Sequence, residues 1–292
     1  MQKQTKAYLL TLLAVTFWGT SASAFKIALQ YVTPYILLFY SALVSAVVLF
    51  VVLIMQGKGP SLLAIKPGQV GKAALLGLVN PFSYYLVLFK AYSLLPGQIA
   101  MSINYGWPLA LTLLSVPILK QQLGRAQLIA LVVSFAGALI IATKGDLDSF
   151  GGVSKIGLLL AFGSTLIWAT FWLLNAKDEQ DPVIKLFLGF TFGCCYTAII
   201  SPLFGGIEIP ETSAFLPLAY IGFFEMGITF VLWLTALQLS STAAKVGNLI
   251  YISPFLSLVF LRLIIGEEIH MATFVGLFLI VGSILYQGMA GD

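Results

Sequence analysis

Apolar residues in this chain come in long blocks, not in the alternation of a half-buried strand or the narrow stripe of a surface helix. A helix crossing a bilayer needs roughly 20 predominantly apolar residues. Ten blocks of that size can be read, at 7–27, 34–55, 73–94, 97–119, 126–143, 156–176, 183–204, 214–237, 243–264 and 271–288. Turn and charge signals separate several of them, as in Gly57-Lys58-Gly59-Pro60 and the run from Lys177 to Pro182. The pattern predicts an all-α polytopic membrane protein with ten transmembrane helices. The connections are too short for a soluble catalytic domain, so the activity is expected within the bilayer.

Composition agrees. Of 292 residues, 60% are hydrophobic and 9% charged, against about 45–50% and 25% in soluble domains. Two adjacent cysteines, Cys194 and Cys195, and one histidine, His270, offer neither a disulfide framework nor a metal site. No cofactor is expected. The fifteen basic residues are scattered and make no nucleic-acid footprint. On the side of the N-terminus lie Lys3, Lys6, Lys58, Lys66, Lys72, Lys120, Arg125, Lys177, Lys185 and Lys245; opposite lie Lys26, Lys90, Lys144, Lys155 and Arg262. The Lys/Arg bias places both termini in the cytoplasm. Ala22-Ser23-Ala24 after the first apolar stretch imitates a signal-cleavage site.

The two halves resemble each other. At a shift of 145 residues Gly77 falls on Gly222, Ala91 on Ala236, Leu94 on Leu239 and Gly137 on Gly282. One residue of slip puts Pro108 on Pro254, and a shift of 150 lays Trp18-Gly19-Thr20 over Trp168-Ala169-Thr170. The order of these matches divides the chain into five-helix repeats at 1–146 and 150–292. Because five is odd, the second repeat enters the membrane from the other side, as in transporters whose binding site lies near the midplane between inverted halves. The repeat also argues against cleavage after the first span, whose partner sits mid-chain.

Polar groups inside spans should face a wet interior. Helical spacing puts Asn80, Ser83, Tyr84 and Val87 on one face of the third span, and Glu225, Thr229 and Leu232 on one face of the eighth. The fourth span adds Asn104 and Trp107 beside Pro108, and the ninth adds Asn248 and Tyr251 ahead of Pro254. Trp18 and Trp168 fall near mid-span, not at the interfaces where tryptophan gathers. The substrate-binding set read from the sequence is therefore Trp18, Asn80, Tyr84, Asn104, Trp107, Trp168, Glu225, Asn248 and Tyr251. Glu225 is the one carboxyl at mid-depth, either a coupling group or a structural hydrogen-bond acceptor. Pro108 and Pro254 are candidate hinges, and Pro81 a further kink. Lys245 and Trp233 read as interfacial, the Cys pair as small core residues, and His270 as surface. Gly137, Ala138, Gly276 and Gly282 permit close helix packing or a dimer face.

The paired Trp-[Gly/Ala]-Thr, the span-four and span-nine prolines and the Gly266-Glu267-Glu268 turn resemble the drug/metabolite transporter superfamily, EamA-type, over the whole chain. The segment Lys120 to Arg125 departs from that pattern, lacking an acidic turn. Among subfamilies the chain is most similar to the YddG-type exporters of aromatic amino acids. That resemblance implies a secondary transporter in the bacterial inner membrane, exporting small metabolites by alternating access. Its partners would be a small molecule and the lipid bilayer, with the oligomeric state left open, a monomer included. Drug or other metabolite efflux on the same fold is an alternative. An intramembrane transferase is a rival of another class, disfavoured because Glu225 has no companion His, Asp or Glu.

Overall fold

The computed structural model describes residues 2–119, 125–142, 145, 152–175, 180–240 and 248–290; these contain helices, turns and no strand. The helices are α1 (Gln2–Ala28), α2 (Pro34–Met55), the short α3 (Gly59–Leu63), α4 (Pro67–Gly77), α5 (Tyr84–Leu94), α6 (Gly97–Asn104), α7 (Trp107–Leu119), α8 (Arg125–Ala142), α9 (Lys155–Asn175), α10 (Pro182–Ile200), α11 (Thr212–Tyr220), α12 (Thr229–Leu239), α13 (Ser253–Phe260) and α14 (Met271–Ala290). Among the described residues six helical stretches are long and apolar enough to cross a membrane: Lys3–Ala28, Pro34–Met55, Pro67–Leu94, Lys155–Asn175, Pro182–Phe204 and Thr212–Ala236. Ser253–Ile265 and Met271–Tyr286 are shorter apolar helices. The protein is thus a polytopic membrane protein, with apolar side chains such as Val47, Leu216 and Phe278 exposed on its outside.

Local sequence explains the starts. Pro34 and Pro182 occupy first-turn positions, where a missing N–H costs nothing. Asp181 caps α10, accepting from the backbone N–H groups of Val183 and Ile184 at 3.0 and 3.2 Å. Its other carboxylate oxygen meets Lys58 Nζ at 2.7 Å, tying the α2–α3 connection to the start of α10.

Among the described residues, regular α-helix gives way to other geometry at several places that matter for the site. π-helical segments, Leu78–Ser83 and Ile221–Ile228, join α4 to α5 and α11 to α12. In the first, Asn80 leaves helical geometry (φ −146°, ψ 124°) and precedes a cis bond to Pro81. A turn at Tyr105–Gly106 separates α6 from α7, and a 3₁₀ segment, Asn248–Ile252, leads into α13. Pro108 and Pro254 therefore stand in the first turns of α7 and α13, not in helix interiors. Proline favours the first turn of a helix, where its fixed φ suits the start.

Packing follows small residues. α1 lies against α12 and α13, and α9 against α5 and α7. α2 packs on α10 and on Ile221–Ile228, and α10 on α4 and on Leu78–Ser83. α8 pairs with α14, where a Cβ on Gly137 would stand 2.6 Å from the Gly276 carbonyl oxygen. The same backbone contact occurs at Gly77, 2.6 Å by this measure from the Gly189 oxygen, and at Gly222, 2.5 Å from the Ser41 oxygen. Gly137 and Gly276 are spent inside the molecule and form no free dimer face. Cys194 is half-buried, but Cys195 is exposed, so the pair is not a core element as read.

Candidate functional site

The α6–α7 turn and the segments before α12 and α13 border a cavity. It counts about 730 Å³ of space between its atoms, open mouth included, and is lined from α1, α5, α6, α7, α9, α12, α13 and the two non-α segments that precede α12 and α13. α1 contributes Trp18, Ser21, Ala22 and Phe25, an i, i+3, i+4, i+7 stripe along one face. α5 contributes Tyr84, Tyr85, Leu88 and Tyr92. Asn104, Tyr105 and Trp107 arrive where α6 stops and α7 begins, and Glu225 arrives on the second π segment. Unwinding at these points aims backbone and polar side chains inward, the arrangement of discontinuous helices in transporter sites.

Six sequence-predicted residues, Trp18, Tyr84, Asn104, Trp107, Trp168 and Glu225, meet around this one cavity. Asn80 does not. The helix break at Asn80 destroys the spacing that would have aligned it with Tyr84, and the residue lines a neighbouring pocket instead. The side chains of Pro108, Asn248 and Tyr251, and all of Lys245, lie outside the described residues. Trp233, read as interfacial, is in fact buried in the cavity wall against Trp18, with ring centroids 5.8 Å apart. Hydropathy places a residue in depth but not around the helix axis, and α12 turns Trp233 inward.

The aromatic wall is continuous. Tyr84 stacks on Trp168 at 4.5 Å, and Trp168 meets Trp172 edge-on at 5.6 Å. Phe230 stands edge-on to both Trp18 and Trp168 at 5.9 Å. Such rings hold one another at angles set by their quadrupoles and present flat apolar faces.

The polar part is organised around Glu225. Ser21 Oγ donates to one carboxylate oxygen and Tyr85 Oη donates to the other at 3.3 Å, so the group joins α1, α5 and the second π segment. Asn104 is partly committed: its Oδ1 accepts from Tyr84 Oη at 3.2 Å and its Nδ2 donates to Ser164 Oγ at 2.9 Å. Tyr105 Oη lies 2.7 Å from Ser253 Oγ, linking the α6–α7 turn to α13. Sequence reasoning missed Ser21, Tyr85, Tyr105 and Trp172. The i, i+3, i+4, i+7 stripe running from Trp18 to Phe25 was the available signal for Ser21. Among the described residues no cluster of His, Cys, Asp or Glu could hold a metal.

The Gly266-Glu267-Glu268 turn also finds its place. Gly266 takes φ 76°, open to glycine, and the Glu267 carboxylate receives the backbone N–H groups of Gly97 and Gln98 at 3.0 and 3.1 Å. An acidic side chain at the start of α6 satisfies orphan donors and opposes the helix dipole.

Broken helices converging on a polar–aromatic cavity in a polytopic membrane protein define a membrane transporter by class. The model of the EamA-like transporter family matches the chain twice, over residues 5–143 and 155–287. The chain belongs to that family, within the drug/metabolite transporter superfamily. Among similar proteins, the uncharacterized transporter YvbV of Bacillus subtilis is 26% identical, covering 96% of this chain and 91% of its own. The aromatic amino acid exporter YddG of Ancylobacter novellus is 26% identical over 87% of each. A solved crystal structure superposes with a TM-score of 0.69 over 97% of this chain and 98% of that one, at 22% identity, and shares the fold.

Proposed function

We propose that the chain is a secondary exporter of small amphipathic metabolites, aromatic or other apolar amino acids foremost. One observation carries the reading: a single carboxylate, Glu225, set among the rings of Trp18, Trp107, Trp168 and Trp172. The rings would take the apolar side chain by stacking. Glu225 would meet the substrate's ammonium, with Asn104 using its remaining hydrogen-bond capacity on the carboxylate. Engaging Glu225 competes with its bonds from Ser21 and Tyr85, and this loosens α1 and α5 from the second π segment. A substrate can shift the carrier between conformations only through such differential contacts. The aromatic amino acid export named for the Ancylobacter relative supports the same substrate class.

The working geometry is ten passes in two oppositely oriented five-helix repeats, 1–146 and 150–292, rocking about the cavity. Several findings support it. The family model matches each half once. Exchanging the halves converts the α1 contacts with α12 and α13 into the α9 contacts with α5 and α7. The same exchange converts the α2 contact with Ile221–Ile228 into the α10 contact with Leu78–Ser83, and leaves the α2–α10 and α8–α14 pairs in place. Gly77 and Gly222, aligned by the 145-residue shift, both serve backbone-to-backbone contacts. In this arrangement the protein spans the bacterial inner membrane with both termini in the cytoplasm, and the turns before α7 and α13, where Pro108 and Pro254 sit, act as hinges.

The lone carboxylate also favours a second reading, efflux of apolar organic cations. Counterflow in proteoliposomes with labelled L-phenylalanine decides between them, with an apolar quaternary ammonium as competitor. Saturable exchange resisted only by amino acids supports the amino acid exporter. Exchange blocked by the ammonium alone supports cation efflux. Non-saturable leakage contradicts a carrier of either kind.

A further inference from the structure

A second pocket lies beside the central cavity, between α4, α9, α10 and α12, with about 880 Å³ of space between its atoms, open mouth included. Its deep end holds Asn80, 2% exposed, whose Oδ1 and Nδ2 both lack a hydrogen-bond partner. A buried amide with neither atom satisfied is costly to maintain and rare. Asn80 is there because the helix breaks at that residue, and Gly189 of α10 lines the same pocket. The indole N–H of Trp172, also buried, is likewise without an acceptor. Phe171, Phe190 and Leu76 supply apolar wall, and Lys185 stands at the rim beside Pro182, on the end of the bundle tied by Lys58 and Asp181.

Two residues, Trp172 and Phe230, line both this pocket and the central cavity. They form the partition between the two spaces, braced by the edge-on contacts of Phe230 with Trp168 and Phe190.

We propose that this pocket is a second binding site, a waypoint between the Lys185 rim and the central cavity, for a small molecule with an apolar or aromatic body. Its head group both donates and accepts hydrogen bonds, as the ammonium and carboxylate of an amino acid do. The Asn80 amide matches that head with one acceptor and two donors, and Trp172 adds a donor to an anionic oxygen. Because the rim lies at the end that would face the cytoplasm, the pocket is where an exported solute waits before the partition moves. This inference rests on the exporter reading for its direction, but not for the existence of the site.

The test is fluorine NMR of the full chain in detergent, labelled with 5-fluorotryptophan and titrated with L-phenylalanine. Trp172→Phe and Trp107→Phe assign the two resonances that matter, since Trp107 lines the central cavity and not the second pocket. The expected result is a Trp172 step with its own midpoint. Asn80→Leu raises that midpoint by about tenfold, the scale of a lost buried hydrogen bond, and leaves the Trp107 step unchanged. Leu234→Phe, which adds bulk to the α12 wall of the pocket, does the same should Asn80→Leu fail to fold. A single midpoint shared by both tryptophans and indifferent to Asn80→Leu overturns the second site while the exporter reading stands. A Trp172 step without exchange in proteoliposomes keeps the site and removes the exporter reading. Failure of every resonance to move at saturating L-phenylalanine overturns the site as well.

Discussion

Trp107 stands where the chain leaves α6 for α7, with cavity on one side and packed core on the other. Losing one stacked ring forfeits about 0.5–1.5 kcal/mol beyond burial, or roughly two- to tenfold in affinity. Trp107→Ala should therefore weaken L-phenylalanine by that factor in counterflow and leave L-alanine little changed; equal losses for both would make the ring a packing element. Glu225→Gln keeps the shape and removes the charge. Its exchange should lose the pH dependence of the parent protein, and identical pH profiles would end the coupling role. Several of these residues were legible because a polar or Trp residue in mid-span is anomalous. Trp233 and Trp172 were not, because depth along a span says nothing about which way the helix face turns. Asn80 was misplaced for a different reason: i, i+4 reasoning assumes an unbroken helix, and the chain breaks at that residue.

Helix limits followed closely from apolar blocks and proline punctuation, as at Pro34 and Pro182. The internal breaks were less visible. Proline marked three of them, but nothing marks Ile221–Ile228, whose π geometry has no proline or polar run to announce it. Close packing gives a sharp prediction. A Cβ on Gly137 would meet backbone at 2.6 Å, whereas one on Gly282 meets nothing within 4 Å. Gly137→Val should lower the thermal midpoint by overpacking, at a cost of about 1–3 kcal/mol, and Gly282→Ala should not. At the start of α10, partial burial works against ionised Asp181, yet the Lys58 ammonium and two backbone donors hold its carboxyl below the usual range. A depressed folded-state value stabilises above the ordinary carboxylate range and is lost as pH falls through it. Asp181→Ala should cost about 1 kcal/mol near neutrality, the worth of an N-cap. Its thermal midpoint should converge with that of the parent in acid, and an unchanged gap there would deny the ionised cap.

For the whole molecule, the order of several matches at a nearly constant offset carries the proposed repeat better than any single identity, and exchanging the proposed halves maps several of the observed helix pairings onto one another. Of the segment Lys120 to Arg125, where the first half departs from the acidic turn of the second, only Arg125 lies within the described residues. The ten-pass reading predicts that Lys66→Cys and Arg125→Cys, in a chain lacking Cys194 and Cys195, react with an impermeant maleimide from one face, and Glu208→Cys from the other. Lys66 and Arg125 reacting from opposite faces would dismantle the repeat. The central claim is that substrate sits midway through the bundle between those halves, and a structure of the protein with L-phenylalanine bound tests it most directly. The account predicts ligand density with its ring against Trp18, Trp107 or Trp168 and its ammonium within hydrogen-bonding distance of Glu225; an empty central cavity with ligand held only elsewhere would contradict it.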